Sequence, residues 1–250
     1  NFVNPRAGRT NFRQAAIDTM SLARMIVGGI FDMPAGQTEF PDAVVLDPEH
    51  LHYFGHSHGG LSGSMHMGIE PLIHSAVLSG SGGVFAETIL VRTDPLDFRF
   101  LIASLLGVEP EELDLFHPAM SLMQMLVDAT DPINYAPYWM NPGPNGRAKH
   151  IFLTEGLKDH ATPPVTTNSL AAAAGVPQIN QIELESLAHM LRGLEPINEP
   201  VGSNVTNATG EKLTGGLMQW KNGDHWVAFD HPQARAMWTS FYKAIVFGTP

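Results

Sequence analysis

The sequence predicts an α/β fold, a mostly parallel sheet with flanking helices, on three observations. Short apolar runs bounded by turn residues alternate with longer stretches of helical periodicity. Apolar residues make up 44% of the 250-residue chain and charged residues only 16%, a composition that buries a core and argues against disorder or a coiled coil. A glycine-flanked serine also stands where one apolar run gives way to a helical pattern.

Each element has its own local reason. Phe12, Ala15, Ala16, Met20, Ala23 and Ile26 recur at helical spacing over residues 11–27, with Thr10 as the expected cap. A Gly- and Pro-bearing loop follows to about Pro41. Leu51-His52-Tyr53-Phe54 reads as a buried strand, and Ser75-Ala76-Val77-Leu78 as a second, ended by Gly80-Ser81-Gly82-Gly83. Residues 150–154 (His-Ile-Phe-Leu-Thr) make a third and 217–220 (Leu-Met-Gln-Trp) a fourth. Helical patterns follow Gly59 and span 165–174 and 232–246, so the strands should run parallel. Roughly seventy residues separate the second and third strands, more than a crossover needs. They hold helical runs at 98–106 and 120–127, which divides the chain into 1–83, an insertion at 84–148, and 149–250. Residues 195–215 are rich in Asn, Gly, Thr and Pro and read as a surface loop. That loop contains two matches to the N-glycosylation acceptor pattern, at Asn204 and Asn207.

Composition removes several classes of function. Lys plus Arg number 14 against 25 Asp plus Glu, a formal net charge of -11, with no basic cluster to grip phosphates, so nucleic acid is set aside as a partner. The absence of cysteine removes a disulfide framework, a Cys nucleophile and Cys-ligated metal. No apolar run is long enough for a transmembrane segment, and no signal peptide is visible at Asn1.

The chemistry concentrates at Gly55-His56-Ser57-His58-Gly59-Gly60, a G-x-S-x-G pattern between strand and helix. A tight turn there lifts the Ser57 hydroxyl off the end of the sheet, and glycines on either side leave room for the strained backbone. The same turn aims the backbone N–H of His58, at a helix N-terminus, toward a developing oxyanion. A serine hydroxyl is a weak nucleophile until a base takes its proton, and the base needs an acid to orient it. Asp159 stands just beyond the third strand, where sites of open α/β sheets gather, and is the expected acid, with Glu155 in reserve. As a helix cap, Thr162 before Pro163 competes better than Asp159. His225, in the loop after the fourth strand, is the expected base ahead of His231, which adjoins Pro232 and reads as a helix-start residue. Asp224 and Asp230 read as turn and cap residues.

Gly-His-Ser-His-Gly-Gly, Gly-Leu-Lys-Asp and Gly-Asp-His-Trp, in that order, resemble the three signature regions of the α/β-hydrolase superfamily. The opening Asn4-Pro5, Arg9, Asn11-Phe12-Arg13-Gln14 and Asp18 is similar to the helix before the nucleophile strand in large bacterial secreted lipases and esterases. The resemblance implies a serine hydrolase using Ser57, Asp159 and His225, with the His58 N–H in the oxyanion hole and no cofactor or metal. It further implies a lid at 84–148, a small-molecule or lipid carboxylic ester as substrate, and a secreted or cell-envelope location. The run 120–127, Met-Ser-Leu-Met-Gln-Met-Leu-Val, would then suit an adaptable acyl pocket, the alternative being a helix buried in the core. The superfamily also places several strands, and a second oxyanion donor, ahead of the nucleophile strand. Only one helix fits before Ser57 here, so the N-terminal strands are expected to be missing, leaving the first strand with an unpaired side.

Two other readings compete. His50, His52, His56, His58 and His66 crowd the nucleophile region, and alternation would put His50 with His52, or His56 with His58, on one face of a metal site. A pair of that kind needs a third ligand in register, and Gly59-Gly60 follows instead of an acid. The other reading is a non-catalytic module that keeps the hydrolase fold without turnover.

Overall fold

A computed structural model describes residues 4–248; residues 1–3 and 249–250, the ends of the first and last segments, lie outside the described residues. The elements run in the order α1 (Pro5–Val27), β1 (Leu51–His56), α2 (His58–Ile69), β2 (Ile73–Ser79), α3 (Phe85–Val91), α4 (Phe98–Leu106), α5 (Pro118–Val127), α6 (Pro137–Met140), β3 (His150–Gly156), α7 (Pro164–Ala174), α8 (Leu187–Leu191), β4 (Val205–Thr206), β5 (Lys212–Leu213), β6 (Gly215–Trp220), α9 (Val227–Asp230) and α10 (Pro232–Phe247).

The main sheet has the order β1-β2-β3-β6, every pair parallel. Phe54 pairs with Val77, Val77 with Phe152 and Phe152 with Gly216, so the C-terminal ends of all four strands reach one edge. Alternation sends Ala76, Leu78, Ile151, Leu153 and Leu217 to one face, under Ala23 of α1, Met67 of α2, Trp139 of α6 and Leu170 of α7. Val77 and Phe152 face the other way, against Trp238, Phe241 and Tyr242 of α10. β1 is an edge strand among the described residues. Tyr242 reaches into the β1–β2 ladder, where its hydroxyl accepts from the Val77 N–H at 3.2 Å and donates to the Tyr53 carbonyl.

The first helix starts earlier than periodicity alone indicates. Asn4 is its cap, accepting from the Ala7 N–H at 3.0 Å, while Thr10 lies inside the helix and bonds back to the Arg6 carbonyl. An Asn followed by Pro is a stronger start signal than a lone Thr. Thr162 is not a cap either: Pro163 holds that position in α7, with no side-chain cap bond. The 195–215 segment is more than a surface loop, for β4 and β5 pair antiparallel across a turn organised by Asn207. Its side chain, 7% exposed, accepts from the Thr209 and Glu211 N–H groups and donates to the Met140 carbonyl, which leaves no place for a glycan. Asn204 is likewise bonded to both polar groups of Gly215.

Between β2 and β3, helices α3 to α5 build a second small core from Ile89, Phe98, Ile102, Leu113 and Met120. Val84, at a left-handed φ of 64° that β-branched residues rarely adopt, starts this segment. The buried Asp131 carboxylate offsets the strain by accepting from the N–H groups of Val84 (3.0 Å), Phe85 (2.7 Å) and Ile133 (3.1 Å). Only Met120 of α5 is buried, while Leu122, Met125 and Leu126 are exposed, so α5 is not a core helix.

A charge cluster under the sheet ties α1 to the rest. Glu70, fully buried, takes Arg24 of α1 at 2.6 Å, the Leu72 N–H at 2.9 Å and lies 3.7 Å from His66. Burial pushes His66 down to about 4 against the pull of Glu70, and pushes Lys149 down to about 8. Removing Glu70 leaves the Leu72 N–H and the buried Lys149 without their acceptor and counter-charge while the half-exposed Arg24 turns to water, so Glu70→Ala should cost about 1–3 kcal/mol in a urea titration. Because the unfolded imidazole titrates near 6.5 and the folded one near 4, the native state binds fewer protons in that window. Stability should therefore be full above pH 6.5 and fall as pH drops toward 4, less so in His66→Leu; a flat urea midpoint in the native protein would exclude this.

Candidate active site

The site forms where the four C-terminal strand ends meet. Ser57 occupies the turn from β1 to α2 with φ 55° and ψ -121°, a conformation that costs a non-glycine residue of order 1–3 kcal/mol. Its N–H is held by the Ser79 carbonyl at 2.9 Å and its own carbonyl accepts from Leu61 at 3.0 Å, so β2 and the first turn of α2 enforce the turn. The crowding is visible in the glycines. A Cβ on Gly55 would lie 2.5 Å from the Gly59 carbonyl oxygen, and one on Gly60 would lie 2.8 Å from Ser81 Cβ. Gly59 itself has room, its nearest neighbour being the Tyr53 hydroxyl at 3.8 Å. Close approach falls on Gly60, a position that the bare G-x-S-x-G pattern does not mark.

The loop after β3 folds back on Asp159, which is 4% exposed. Oδ1 accepts from the N–H groups of Ala161 (2.8 Å) and Thr162 (2.7 Å), and Oδ2 lies 2.8 Å from Nδ1 of His225. Asp159 is thus turn-former and partner of the histidine at once. Since a carboxylate only accepts, the ring proton belongs on Nδ1, which leaves the Nε2 lone pair free. No hydrogen bond joins the Ser57 hydroxyl to His225 among the described residues.

The reserve residues lie elsewhere. Glu155 is buried and accepts from Asn168 Nδ2 at 3.1 Å; burial, with the nearby Asp159 charge, pushes its carboxyl well above the usual range. His231 caps α10 and packs its ring on Trp220 at 4.4 Å. Asp224 is a turn residue, accepting from the Trp226 N–H. His50, His52, His56, His58 and His66 converge on no common point: among the described residues no three metal-ligating side chains are placed to hold an ion. His58 stacks its ring on Phe12 of α1 at 4.6 Å, and its N–H opens α2 with no intramolecular acceptor among the described residues.

Sequence reasoning did not find the role of His56. Its ring packs against His225 and Trp226, both at 4.7 Å, and against Phe229 at 4.9 Å, with Nδ1 3.3 Å from the Ser79 hydroxyl. Burial and the neighbouring His225 push it down to about 4, so it stays neutral at neutral pH. The available signal was its place beside Ser57, at a strand end that must meet the histidine loop. Gly80, at φ 53°, completes the seat, since a Cβ there would lie 2.8 Å from Cε1 of His225.

Against the Asp159 loop lies a cavity of about 190 Å³ walled by Phe12, Leu61, Phe85, Ile89, Met123 and Val127. It runs from the first turn of α2 to Ala161 and Thr162, the residues whose amides hold Asp159.

No family model matches the sequence, and no curated protein sequence matches it. Solved structures do. A puromycin-hydrolyzing peptidase of Mycobacterium tuberculosis aligns with a TM-score of 0.51 at 14% identity, over 92% of this chain and 25% of that one. Acetyl xylan esterase 1 of Thermoanaerobacterium sp. JW/SL YS485 aligns with a TM-score of 0.48 at 12% identity, over 91% of this chain and 51% of that one. The chain therefore spans between a quarter and half the length of these two structures. With the parallel order β1-β2-β3-β6 and a serine on the turn after β1, the chain has the α/β-hydrolase fold.

Gly80→Ala tests the seat of the histidine. The added methyl should displace the His225 ring and lengthen its bond to Asp159. A crystal structure or the low-field Nδ1 proton resonance would report it, and an unchanged resonance would show that the ring has other room.

Proposed function

We propose that the protein is a serine hydrolase that cleaves carboxylic esters through an acyl-enzyme on Ser57. The observation that carries this reading is the Asp159–His225 pair at 2.8 Å, placed at the same sheet edge as a serine in a strained strand-to-helix turn. Asp159 orients the ring and leaves Nε2 to act as base. The Ser57 oxygen bonds to the ester carbonyl carbon while its proton passes to Nε2. The His58 N–H receives the oxyanion. Collapse of the tetrahedral intermediate breaks the carbon–oxygen bond to the alcohol, which leaves with the proton from Nε2. Water, deprotonated by the same nitrogen, then attacks the acyl-enzyme, releases the acid and restores Ser57.

Room for an apolar acyl group is supplied by the cavity. At about 190 Å³ it exceeds an apolar cavity of about 150 Å³ that holds one benzene ring, so a short acyl chain fits. Helices α3 to α5 supply much of its wall and act in this reading as a lid over the acyl group, within the 84–148 insertion.

Ser57→Ala or His225→Ala should each remove on the order of 10⁴- to 10⁶-fold of the turnover of 4-nitrophenyl hexanoate, and the double variant little more. Asp159→Ala should cost less than either. An organophosphonate should label the native protein on Ser57 at one-to-one stoichiometry. Additive losses, or no labelling, would return the chain to a non-catalytic module with this fold, and faster cleavage of the matching anilide would make it an amidase.

A further inference from the structure

The cavity between α1, the first turn of α2 and the Asp159 loop has a charge pattern that simple acyl binding does not need. Its lining carries two charged residues, Arg9 and Arg92, and no Asp or Glu, in a chain with 25 acids against 14 Lys and Arg. Arg9 stands one helical turn before Phe12, whose ring stacks on His58 next to Ser57. Arg92 follows α3, places its guanidinium 5.2 Å from the centre of the Phe98 ring, and spends Nε on the Asp94 carbonyl at 2.7 Å. Neither guanidinium pairs with a carboxylate among the described residues. Asp94 and Asp159 are near enough to favour the charged form of Arg92, but neither forms an ion pair with it, and Asp159 is engaged by His225, Ala161 and Thr162. Half-burying a guanidinium against apolar walls is unfavourable unless an anion meets it. The net charge of -11 repels anions at long range, so any attraction here must come from these two side chains at short range.

We propose that this cavity binds an apolar chain bearing an anionic group, a carboxylate or a phosphate, held by Arg9 and Arg92. The apolar walls take the chain and the two guanidiniums take the anion. Combined with the hydrolase reading, on which this part rests, the preferred substrate is an ester whose acyl chain is itself anionic, such as the half-ester of a dicarboxylic acid. Binding of the amphiphile, by contrast, does not depend on turnover.

The test is calorimetric titration of the full chain carrying Ser57→Ala with hexanoate, hexyl phosphate, hexan-1-ol, acetate and inorganic phosphate. At least one six-carbon anion should bind about 10-fold or more tighter than the alcohol, as a charge-assisted contact implies, and tighter than the small anions. Whichever of the carboxylate and the phosphate binds more tightly identifies the head group. Arg9→Gln and Arg92→Gln, each with an unchanged circular dichroism spectrum, should erase most of the preference, and added salt should weaken it. Equal affinity for hexanoate, hexyl phosphate and hexan-1-ol overturns the proposal without needing any arginine variant. So does binding of inorganic phosphate as tight as that of hexyl phosphate. In the native protein, the mono-4-nitrophenyl ester of adipic acid should be cleaved with a higher kcat/KM than 4-nitrophenyl hexanoate. If esters are cleaved with no preference for the anion, the specificity falls and the hydrolase stands. If the anions bind and no ester is cleaved, the hydrolase reading falls and the binding site stands.

Discussion

How near α2 can come to the ends of β1 and β2 decides what the rest of the site can be. The helix begins one residue after Ser57, and its first turn runs against the backbone of Ser79 and the side chain of Ser81. Gly55 and Gly60 allow that approach, and the Ser57 N–H bond to the Ser79 carbonyl fixes it. The positive φ of Ser57 follows from this crowding, since no relaxed turn joins a strand to a helix over so short a distance. The orientation of the hydroxyl, the exposure of the His58 N–H and the seat of His225 on Gly80 all inherit that geometry.

Against this backbone constraint the buried charges divide into two kinds. Asp159 has both oxygens engaged, one on its own loop and the other on the histidine, so folding the loop and orienting the ring are a single event. Glu155, a few residues earlier, is held toward its neutral form by burial, against the opposing pull of hydrogen bonds from Asn168 and Gln219. That burial of Glu155 keeps a second negative charge away from the Asp159–His225 pair.

Much of this was legible in the sequence, for identifiable reasons. The four strands are short and mostly apolar, and position along the chain was enough to show that Ser57, Asp159 and His225 each stand after the end of one of them. Thr10 and Thr162 were misread as caps because a local rule was applied without the stronger neighbours, Asn4 with Pro5 and the Asp159 carboxylate. The β4–β5 hairpin was hidden because its strands are two residues each and its turn depends on Asn207 bonding to Met140, far away in sequence. The packing of His56 on His225 and the shared cavity of Arg9 and Arg92 join residues from opposite parts of the chain. No periodicity or spacing encodes contacts of that kind.

The hydroxyl of Tyr242 sits between the Val77 N–H and the Tyr53 carbonyl, so a residue of the last helix completes the pairing of the strand that leads to the serine. A chain leaving the ribosome in order exposes β1 and β2 long before α10 exists. Until then that stretch of ladder lacks its bridging hydroxyl, and the face that Trp238 and Phe241 cover stays open to water. β1 therefore reaches its final setting only once the residues of α10 have been made, which couples the appearance of the site to the arrival of that helix.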